Sequence, residues 1–279
     1  MKLVHTVADV RAARSAFPAL GLVPTMGALH EGHLSLVKRA REENGAVAVS
    51  IFVNPTQFNE GADFDRYPRT LKRDLELLEP LGCDLVFAPD AAAMYPPGFA
   101  SRIDVGPVAS PLEGAMRPGH FDGVATVVCK LLNIVQPNIA YFGQKDAQQL
   151  AVIRRMAADL DLPCGIVGAP TVREADGLAL SSRNVHLTPE QRKQAPGLHR
   201  ALRLAEAAYG GGERDAEHLR AAMRGVLAGA PLGRVEYVSI ADPTTLAELD
   251  EVGPAGALAS LAVRFGDTRL IDNLVLGPA

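Results

Sequence analysis

The sequence predicts an α/β protein whose first part is a doubly wound parallel sheet and whose second part is a smaller α+β domain. Over residues 21–170, short apolar runs bounded by Gly, Pro or Asn alternate with longer segments of helical periodicity, and the loops between them are short. After about residue 174 the pattern changes to helices followed by two strand-like runs and a closing segment, 268–276. We therefore expect two domains, residues 1–174 and 175–279.

The predicted strands of the first domain are mainly apolar runs without a regular polar alternation, which is typical of parallel strands covered on both faces. They are residues 21–27, 46–54, 84–89, 139–143 and 164–170. The predicted helices between and after them are residues 33–44, 69–82, 123–136 and 146–160. In the first helix, Leu34 and Val37 recur at helical spacing and charged residues occupy the other face.

The second domain begins within the polar, turn-forming segment 170–184. A helix is predicted over 189–210, with Pro196 inside it, and a second helix over 216–229 after a glycine-rich loop. Strands are predicted over 235–242 and 257–266, and the segment 268–276 follows them.

Composition excludes several classes of protein. Lys and Arg total 28 against 32 Asp and Glu, so a net charge of −4 argues against a protein that coats nucleic acid or an anionic membrane. The three cysteines show neither a disulfide framework nor metal-ligand spacing and are interpreted as small buried side chains. The N-terminus lacks the apolar run of a signal peptide, and no stretch reaches the roughly 18 apolar residues of a membrane helix. A cytoplasmic protein is expected.

The first candidate site is 25-TMGALHEGH-33, where the first strand gives way to a helix. That junction lies at the carboxyl edge of the sheet, where open α/β sheets bind ligands. Gly27 and Gly32 permit close backbone approach, and a helix N-terminus favours phosphate. His30 and His33, three residues apart, can each donate a hydrogen bond to a phosphate oxygen. A zinc site is the rival use, but the spacing is not His-Glu-x-x-His and no third ligand is apparent.

Two further segments could bind an anion. Lys145 and Asp146 follow the strand 139–143, the lysine as a cation for phosphate and the aspartate as a helix cap, and a glutamine at 148 or 149 could turn into the cleft. The stretch 180-LSSRN-184 offers hydroxyls, backbone N–H groups and a guanidinium, and is either an anion-binding lid or a domain linker. P-loop, Gly-x-Gly-x-x-Gly and Gly-x-Ser-x-Gly motifs are absent.

Neutral hydrogen-bonding groups follow the second strand. Asn54 and Gln57, with the rigid Pro55 between them, suit recognition of hydroxyl and carboxylate groups. The turn 117-RPGHFDGV-124 adds Arg117 and His120, for which a structural and a direct role are equally compatible with the sequence.

Taken together, these motifs resemble the pantothenate synthetase (pantoate–β-alanine ligase) family of the nucleotidyltransferase superfamily with the His-x-Gly-His motif. The resemblance spans nearly the whole chain and rests on an ordered set of motifs: PTMGALHEGH, SIFVNPTQF, YPRT, RPGHFDGV, YFGQKD, LSSRN and TRLIDN.

The resemblance implies ATP- and Mg²⁺-dependent condensation of (R)-pantoate with β-alanine through a pantoyl adenylate, releasing AMP and pyrophosphate. It also implies a Rossmann-like N-terminal domain, a smaller C-terminal domain that acts as a lid, and a homodimer.

The resemblance further assigns site residues by position. His30 and His33 match residues that contact the ATP phosphates, and His33 matches the assigned proton donor. The remaining nucleotide positions are Met26, Gly27, Gly143, Lys145, Asp146, Val172, Leu180, Ser181, Ser182 and Arg183, of which Lys145 and Arg183 are expected to take part in catalysis. The pantoate and β-alanine positions are Gln57, Gln149, Asn54 and His120. Asp74 matches a magnesium ligand, although Arg73 stands where some relatives carry a second acidic residue.

Two other functions are compatible with parts of this pattern. Another His-x-Gly-His nucleotidyltransferase, which would make a nucleotide-linked product, shares the histidine pair. A non-enzymatic nucleotide-binding regulator would need neither amine access nor a polar acceptor pocket. Gln57, Gln149 and the paired serines favour the ligase.

Overall fold

The computed structural model of this chain describes residues 1–58 and 61–278. The chain forms two units, one of Met1–Gly143 with Val152–Pro170 and one of Gln144–Ala151 with Thr171–Ala279.

The first unit contains a six-stranded parallel sheet. Its strands are β1 Lys2–Val4, β2 Leu20–Thr25, β3 Ala46–Ile51, β4 Leu85–Phe87, β5 Ile139–Gly143 and β6 Gly165–Ala169. They lie in the order β1-β4-β3-β2-β5-β6, and every neighbouring pair is parallel. The chain runs outward from β2 through β3 to β4 and then resumes at β5 on the other side of β2. The strand order therefore reverses between β2 and β5, which is where open α/β sheets bind ligands.

The helices of the chain occupy the connections that periodicity predicted, with several short additions. Their bounds are α1 Val7–Arg14, α2 Glu31–Glu43, α3 Gly61–Arg66, α4 Leu71–Leu78, α5 Ala91–Met94, α6 Glu113–Met116, α7 His120–Val135, α8 Ala147–Asp159, α9 Pro189–Gln194, α10 Gly197–Gly210 and α11 Ala216–Leu227. In the first unit, α2 buries Leu34, Leu36, Val37 and Ala40 in a core that also includes Val23 and Val49 of the sheet. Burying this apolar stripe stabilises the helix more than its intrinsic propensity does.

Two N-terminal elements carry little sequence signal. Strand β1 has three residues and lies at the sheet edge, paired only with β4 among the described strands. Helix α1 is capped by Thr6, whose hydroxyl accepts the Asp9 N–H at 3.1 Å. Both elements are too short for periodicity to identify them.

The second unit packs helices on one face of an antiparallel three-stranded sheet. Its strands are β7 Gly233–Ala241, β8 Ala257–Phe265 and β9 Thr268–Leu276, in that order. Alternate residues of β8, including Leu261, Val263 and Phe265, enter a core that contains Leu198 and Leu202 of α10. These alternate residues form the face of β8 that packs on the helices, and residues of its other face, such as Leu258 and Ala262, are buried as well.

The prediction of a single helix over 189–210 is wrong. The structure has two helices, α9 and α10, separated by Ala195 and Pro196. Proline has no backbone N–H to continue the hydrogen-bond ladder and its ring crowds the preceding turn. The predicted architecture is otherwise confirmed: a doubly wound parallel sheet with a smaller α+β part. Over the described part of the chain, no helix combines the length and the apolar character that crossing a membrane requires.

Candidate active site

The loop that joins β2 to α2 has an unusual backbone that is held from both sides. Gly27 and Ala28 have φ angles of 79° and 51°, a left-handed conformation that costs a non-glycine residue on the order of 1 kcal/mol. The Thr25 hydroxyl accepts the Gly27 N–H at 3.1 Å. A Cβ at Gly27 would lie 3.0 Å from a carboxylate oxygen of Asp74, so the loop and this carboxylate are in close contact.

Asp74, the expected magnesium ligand, holds this loop. Its side chain is fully buried, and its two oxygens accept the N–H groups of Ala28 and Leu29 at 3.0 and 2.9 Å. The Thr70 hydroxyl lies 3.2 Å from each oxygen. Three donors occupy most of the acceptor sites of this buried carboxylate, which supports a structural role for it. Asp74 is thus an acceptor for the backbone of this loop, and its role as a magnesium ligand stays a prediction.

The side chains of His30 and His33 form a capping box at the first turn of α2. His30 is the N-cap residue, and its Nδ1 accepts the Gly32 N–H at 3.1 Å. His33 Nδ1 lies 3.4 Å from the His30 backbone N, which completes a capping box, and the ring centroids are 4.1 Å apart. Because each Nδ1 accepts, each neutral ring carries its proton on Nε2. The pair thus begins the helix and also presents two Nε2–H donors of fixed tautomer at its positive end.

The described residues do not add a further ligand with which this histidine pair could form a three-ligand metal site. Among residues 1–58 and 61–278, no cluster of three or more His, Cys, Asp or Glu side chains could hold a metal ion.

The residues predicted to recognise hydroxyl and carboxylate groups form a second cluster in the first unit. Asn54, only 1% exposed, donates to the Gln57 side-chain oxygen and to the Gly123 carbonyl, both at 3.1 Å. Its own oxygen accepts the hydroxyls of Tyr95 and Thr56 at 2.8 and 2.9 Å. Asn54 therefore cross-links this loop internally, which supports a positioning role, and its assignment as a substrate ligand stays a prediction.

His120 and Arg117 hold the backbone of Gln57. His120 Nδ1 lies 2.8 Å from the Gln57 carbonyl, and its Nε2 lies 3.2 Å from Arg117, which can only donate. His120 thus carries its proton on Nδ1, and Arg117 donates to the same carbonyl at 3.3 Å. His120 is 8% exposed, which fits positioning better than direct contact with a ligand. The Gln57 side chain is half-buried and reaches the Met26 sulfur at 3.0 Å.

A glycine in α7 permits this arrangement. A Cβ at Gly123 would lie 2.3 Å from the Thr56 carbonyl oxygen, a distance that no side chain tolerates. Only glycine lets the helix approach the loop that carries Gln57.

The second unit brings together the predicted cationic residues. Lys145, Ser181, Arg183 and Asn184 line one small cavity, together with residues of β9 that include Arg269. The Lys145 side chain is 19% exposed and its ammonium lies 3.8 Å from Asp146. Ser181 accepts the Arg183 N–H at 3.2 Å and begins the 3₁₀ turn 182–186, which leaves the side chains of Ser182 and Arg183 exposed.

The remaining predicted positions are placed as follows. The Leu180 N–H donates to the Val172 carbonyl at 2.9 Å, so the two residues face each other across a hairpin of the second unit. Asp146 lies in a 3₁₀ turn before α8, and Gln149 is half-buried in the first turns of that helix. Gly143 ends β5 in the first unit, and no described atom lies within 4 Å of where its Cβ would be.

Sequence reasoning missed the structural use of Asp74 and the presence of Arg269. Arg269 comes from the late TRLIDN stretch, which carried no assigned role, and its Nε lies 2.5 Å from the nearly buried Glu236. Burial favours the neutral form of Glu236, but hydrogen bonds from Arg269 and Arg264 prevail and lower its pKa. The sequence signal was the pair of charged residues, Arg269 and Asp272, among the apolar residues of this strand.

The cysteines are not nucleophiles. Burial raises the pKa of Cys83 to about 12 and that of Cys164 to about 11, and it also raises the pKa of Cys129. These thiols stay protonated at neutral pH, and the thiolate is the reactive form.

The comparisons with known proteins agree along the whole chain. The family model described as pantoate-beta-alanine ligase matches residues 2–275. A pantothenate synthetase of Chloroflexus aurantiacus is 64% identical over 276 residues, which cover 99% of this chain and 98% of that protein.

Solved structures show the same likeness. A pantothenate synthetase from Thermus thermophilus is 52% identical, with a TM-score of 0.93 and full coverage of both chains. A pantoate-beta-alanine ligase from Francisella tularensis, complexed with beta-gamma ATP and beta-alanine, is 36% identical, with a TM-score of 0.79 over 99% of this chain and 97% of that one. The resemblance seen in the sequence motifs is confirmed, and this chain belongs to the pantoate–β-alanine ligase family.

Proposed function

We propose that this enzyme, a ligase by its family, joins (R)-pantoate to β-alanine at the expense of ATP, which is cleaved to AMP and pyrophosphate. The observation that carries the proposal is the His30–His33 capping pair, which fixes two Nε2–H donors at the start of α2, beside the point where the strand order reverses.

The reaction has two steps. A carboxylate oxygen of pantoate attacks the α-phosphorus of ATP, and the bond to the β-phosphate oxygen breaks and releases pyrophosphate. The neutral amine of β-alanine then attacks the acyl carbon of the pantoyl adenylate, AMP leaves with the bonding electron pair, and the amine loses its proton. The adenylate is needed because a free carboxylate is a poor electrophile, whereas AMP is a good leaving group.

His30 and His33 are proposed to stabilise the charge that builds up on the transferring phosphates and on departing pyrophosphate. Their donors need no reorientation, because the Nδ1 atoms are already engaged with the backbone of the same turn. We assign His33 the role of proton donor to the phosphate oxygen.

Residues of the second unit are also proposed to bind ATP. Lys145 and Arg183 supply the cations for the phosphates, and Ser181 and Ser182 supply hydroxyls. The proposed positions for the nucleoside and its surroundings are Met26, Gly27, Gly143, Asp146, Val172 and Leu180. Support comes from the cavity that Lys145, Ser181 and Arg183 line together.

Gln57 and Gln149 are proposed as the pantoate ligands, with Gln57 also near the arriving amine. The Gln57 backbone is fixed by His120 and Arg117, which supports a recognition role for its side chain. Asn54 and His120 act in this proposal by positioning Gln57.

Magnesium is proposed to arrive with ATP, bound to the phosphates, where it would neutralise phosphate charge. Among the described residues no group of three or more His, Cys, Asp or Glu could hold a metal ion, and Asp74 accepts backbone N–H groups. A homodimer, a cytoplasmic location and a domain boundary at 174/175 stay predictions.

The test is pantoate-dependent exchange of labelled pyrophosphate into ATP without amine. We expect exchange with (R)-pantoate, and a loss of about 10²–10³-fold in His33→Ala, as for removal of one preorganised transition-state donor. Glu31→Gln, on the same turn but exposed, is the matched control and is expected to exchange at the wild-type rate.

Two outcomes would contradict the proposal. A folded protein that binds ATP but shows no exchange would point to another acceptor, as in the nucleotidyltransferases that make nucleotide-linked products, or to a regulator. Exchange at the wild-type rate in His33→Ala would remove the assigned role of that histidine.

A further inference from the structure

Asn273 of β9 holds the chain segment that carries Lys145. The Asn273 side chain is buried, and its Nδ2 donates to the carbonyls of Gln144 and Lys145 at 3.0 and 2.8 Å. The Gln144 amide approaches the Asn273 oxygen at 3.4 Å. One amide that donates to two successive carbonyls fixes the path of the backbone at the base of the Lys145 side chain.

The preceding residue, Asp272, holds the other cationic segment of the same unit. Its carboxylate is 2% exposed and binds Arg173 through both oxygens, at 2.6 and 2.9 Å. Arg173 also donates to the Gly177 carbonyl at 3.1 Å and pairs with Ala179 across a hairpin. This hairpin leads directly into Leu180 and the serines after it.

The alternation of side chains along a strand explains how Asp272 and Asn273, although adjacent, contact two different segments. Successive side chains point to opposite faces of a sheet. Asp272 is in register with Leu261, which belongs to the core under α10, whereas Asn273 is in register with Ser260. The Asn273 N–H also donates to the Asp272 carboxylate at 2.9 Å, which links the two contacts.

Burying the polar side chains of Asp272 and Asn273 among apolar residues costs free energy. Its neighbours on β9 include Leu270, Ile271 and Leu274, and an apolar pair there would pack without desolvating a charge and an amide. A strand selected for packing alone would not place both groups at its centre.

We infer that Asp272 and Asn273 are positioning residues for the triphosphate of ATP. Asn273 sets the position of Lys145, and Asp272, through Arg173, sets the segment that ends in Arg183. The inference rests on the proposed function, because it assumes that these two cations bind ATP.

A double-mutant cycle tests the first half, with ATP binding measured by calorimetry in the absence of pantoate. We expect Asn273→Ala to weaken ATP binding by about tenfold in the wild-type background and by less than about twofold in Lys145→Ala, since coupled residues are non-additive. Asn133→Ala is the matched control, because it removes an amide that donates to a carbonyl, that of Cys129, at 2.9 Å in the other unit. It is expected to leave ATP affinity unchanged.

The same cycle with Asp272→Asn and Arg183→Ala tests the second half. A residue that only stabilises the fold would weaken binding equally in both backgrounds, so additivity overturns the inference. It is also overturned if Lys145→Ala binds ATP as wild type does. Urea unfolding checks each variant, and Asn273→Ser, which keeps a small polar group that cannot span both carbonyls, replaces Asn273→Ala if the latter does not fold.

These outcomes are separate from those of the reaction itself. If the wild-type protein binds ATP but shows no pantoate-dependent exchange, the proposed reaction is overturned. The double-mutant cycle can still be interpreted, because it measures only ATP binding. Wild-type exchange together with additive variants overturns the positioning role alone.

Discussion

Replacing Asp74 with asparagine tests whether this carboxylate holds the loop before His30 or binds magnesium. The two side chains have nearly the same shape, so packing is preserved. In the wild-type structure the carboxylate oxygens accept the Ala28 and Leu29 N–H groups at 3.0 and 2.9 Å. Asparagine keeps one acceptor and puts an NH₂ group where the other stood, so one of these backbone donors faces another donor.

The cost follows from the hydrogen bonds lost. A hydrogen bond to a charged group contributes roughly 1.5–3 kcal/mol, and a donor left unsatisfied costs a similar amount, so we expect the free energy of unfolding to fall by about 2–4 kcal/mol. Release of the left-handed turn at Gly27 and Ala28 would shift His30, and a misplacement of about 1 Å costs on the order of 10²-fold in rate.

Two assays measure these effects: urea unfolding for stability, and pantoate-dependent pyrophosphate exchange over a range of Mg²⁺ concentrations. Glu76→Gln, an exposed change on the same helix, is the matched control and should behave as wild type. A loop acceptor predicts that added Mg²⁺ does not restore exchange in Asp74→Asn. Wild-type stability combined with full restoration by Mg²⁺ would refute the reasoning and return Asp74 to the metal.

Three further changes have defined outcomes. Gly123→Ala would put a Cβ 2.3 Å from the Thr56 carbonyl oxygen, so we expect a stability loss of about 1–3 kcal/mol and a raised KM for pantoate in steady-state assays. Burial and the nearby Arg173 lower the pKa of His199, so below its unfolded pKa of about 6.5 the unfolded chain binds more protons. The free energy of unfolding should therefore fall as pH drops from neutral through that range, and His199→Gln should reduce this slope; an unchanged slope would contradict the assignment. Cys83, with a pKa raised to about 12, should resist iodoacetamide in the native protein and react once urea unfolds it; rapid native labelling would show that the thiol is accessible.

Much of the fold was predictable because burial leaves a periodic trace in the sequence. Continuous apolar runs identified β2 to β6, and the turn residues around them indicated short connections. The exceptions have local causes: β1 is too short to show a pattern, and Pro196 interrupts a helix that periodicity alone would continue.

The candidate site was predictable in its residue types and only partly in their roles. His30, His33, Lys145 and Arg183 stood out because each follows an apolar strand or lies in a polar turn beside other groups that can bind phosphate. Ser, Asp and Asn are the usual N-cap residues, whereas in this structure His30 caps α2.

By itself, the sequence determined the alternation of strands and helices, the ordered motifs of the family and the set of groups available for phosphate and acceptor recognition. The tertiary structure decided how those groups are used. Asp74, Asn54 and His120 became internal acceptors and donors, and Asp272 with Asn273 reached partners 99 and 128 residues away in the chain. The physical reason is that a buried polar group must find partners, and those partners come from wherever the fold places a backbone N–H or carbonyl, which no local pattern records.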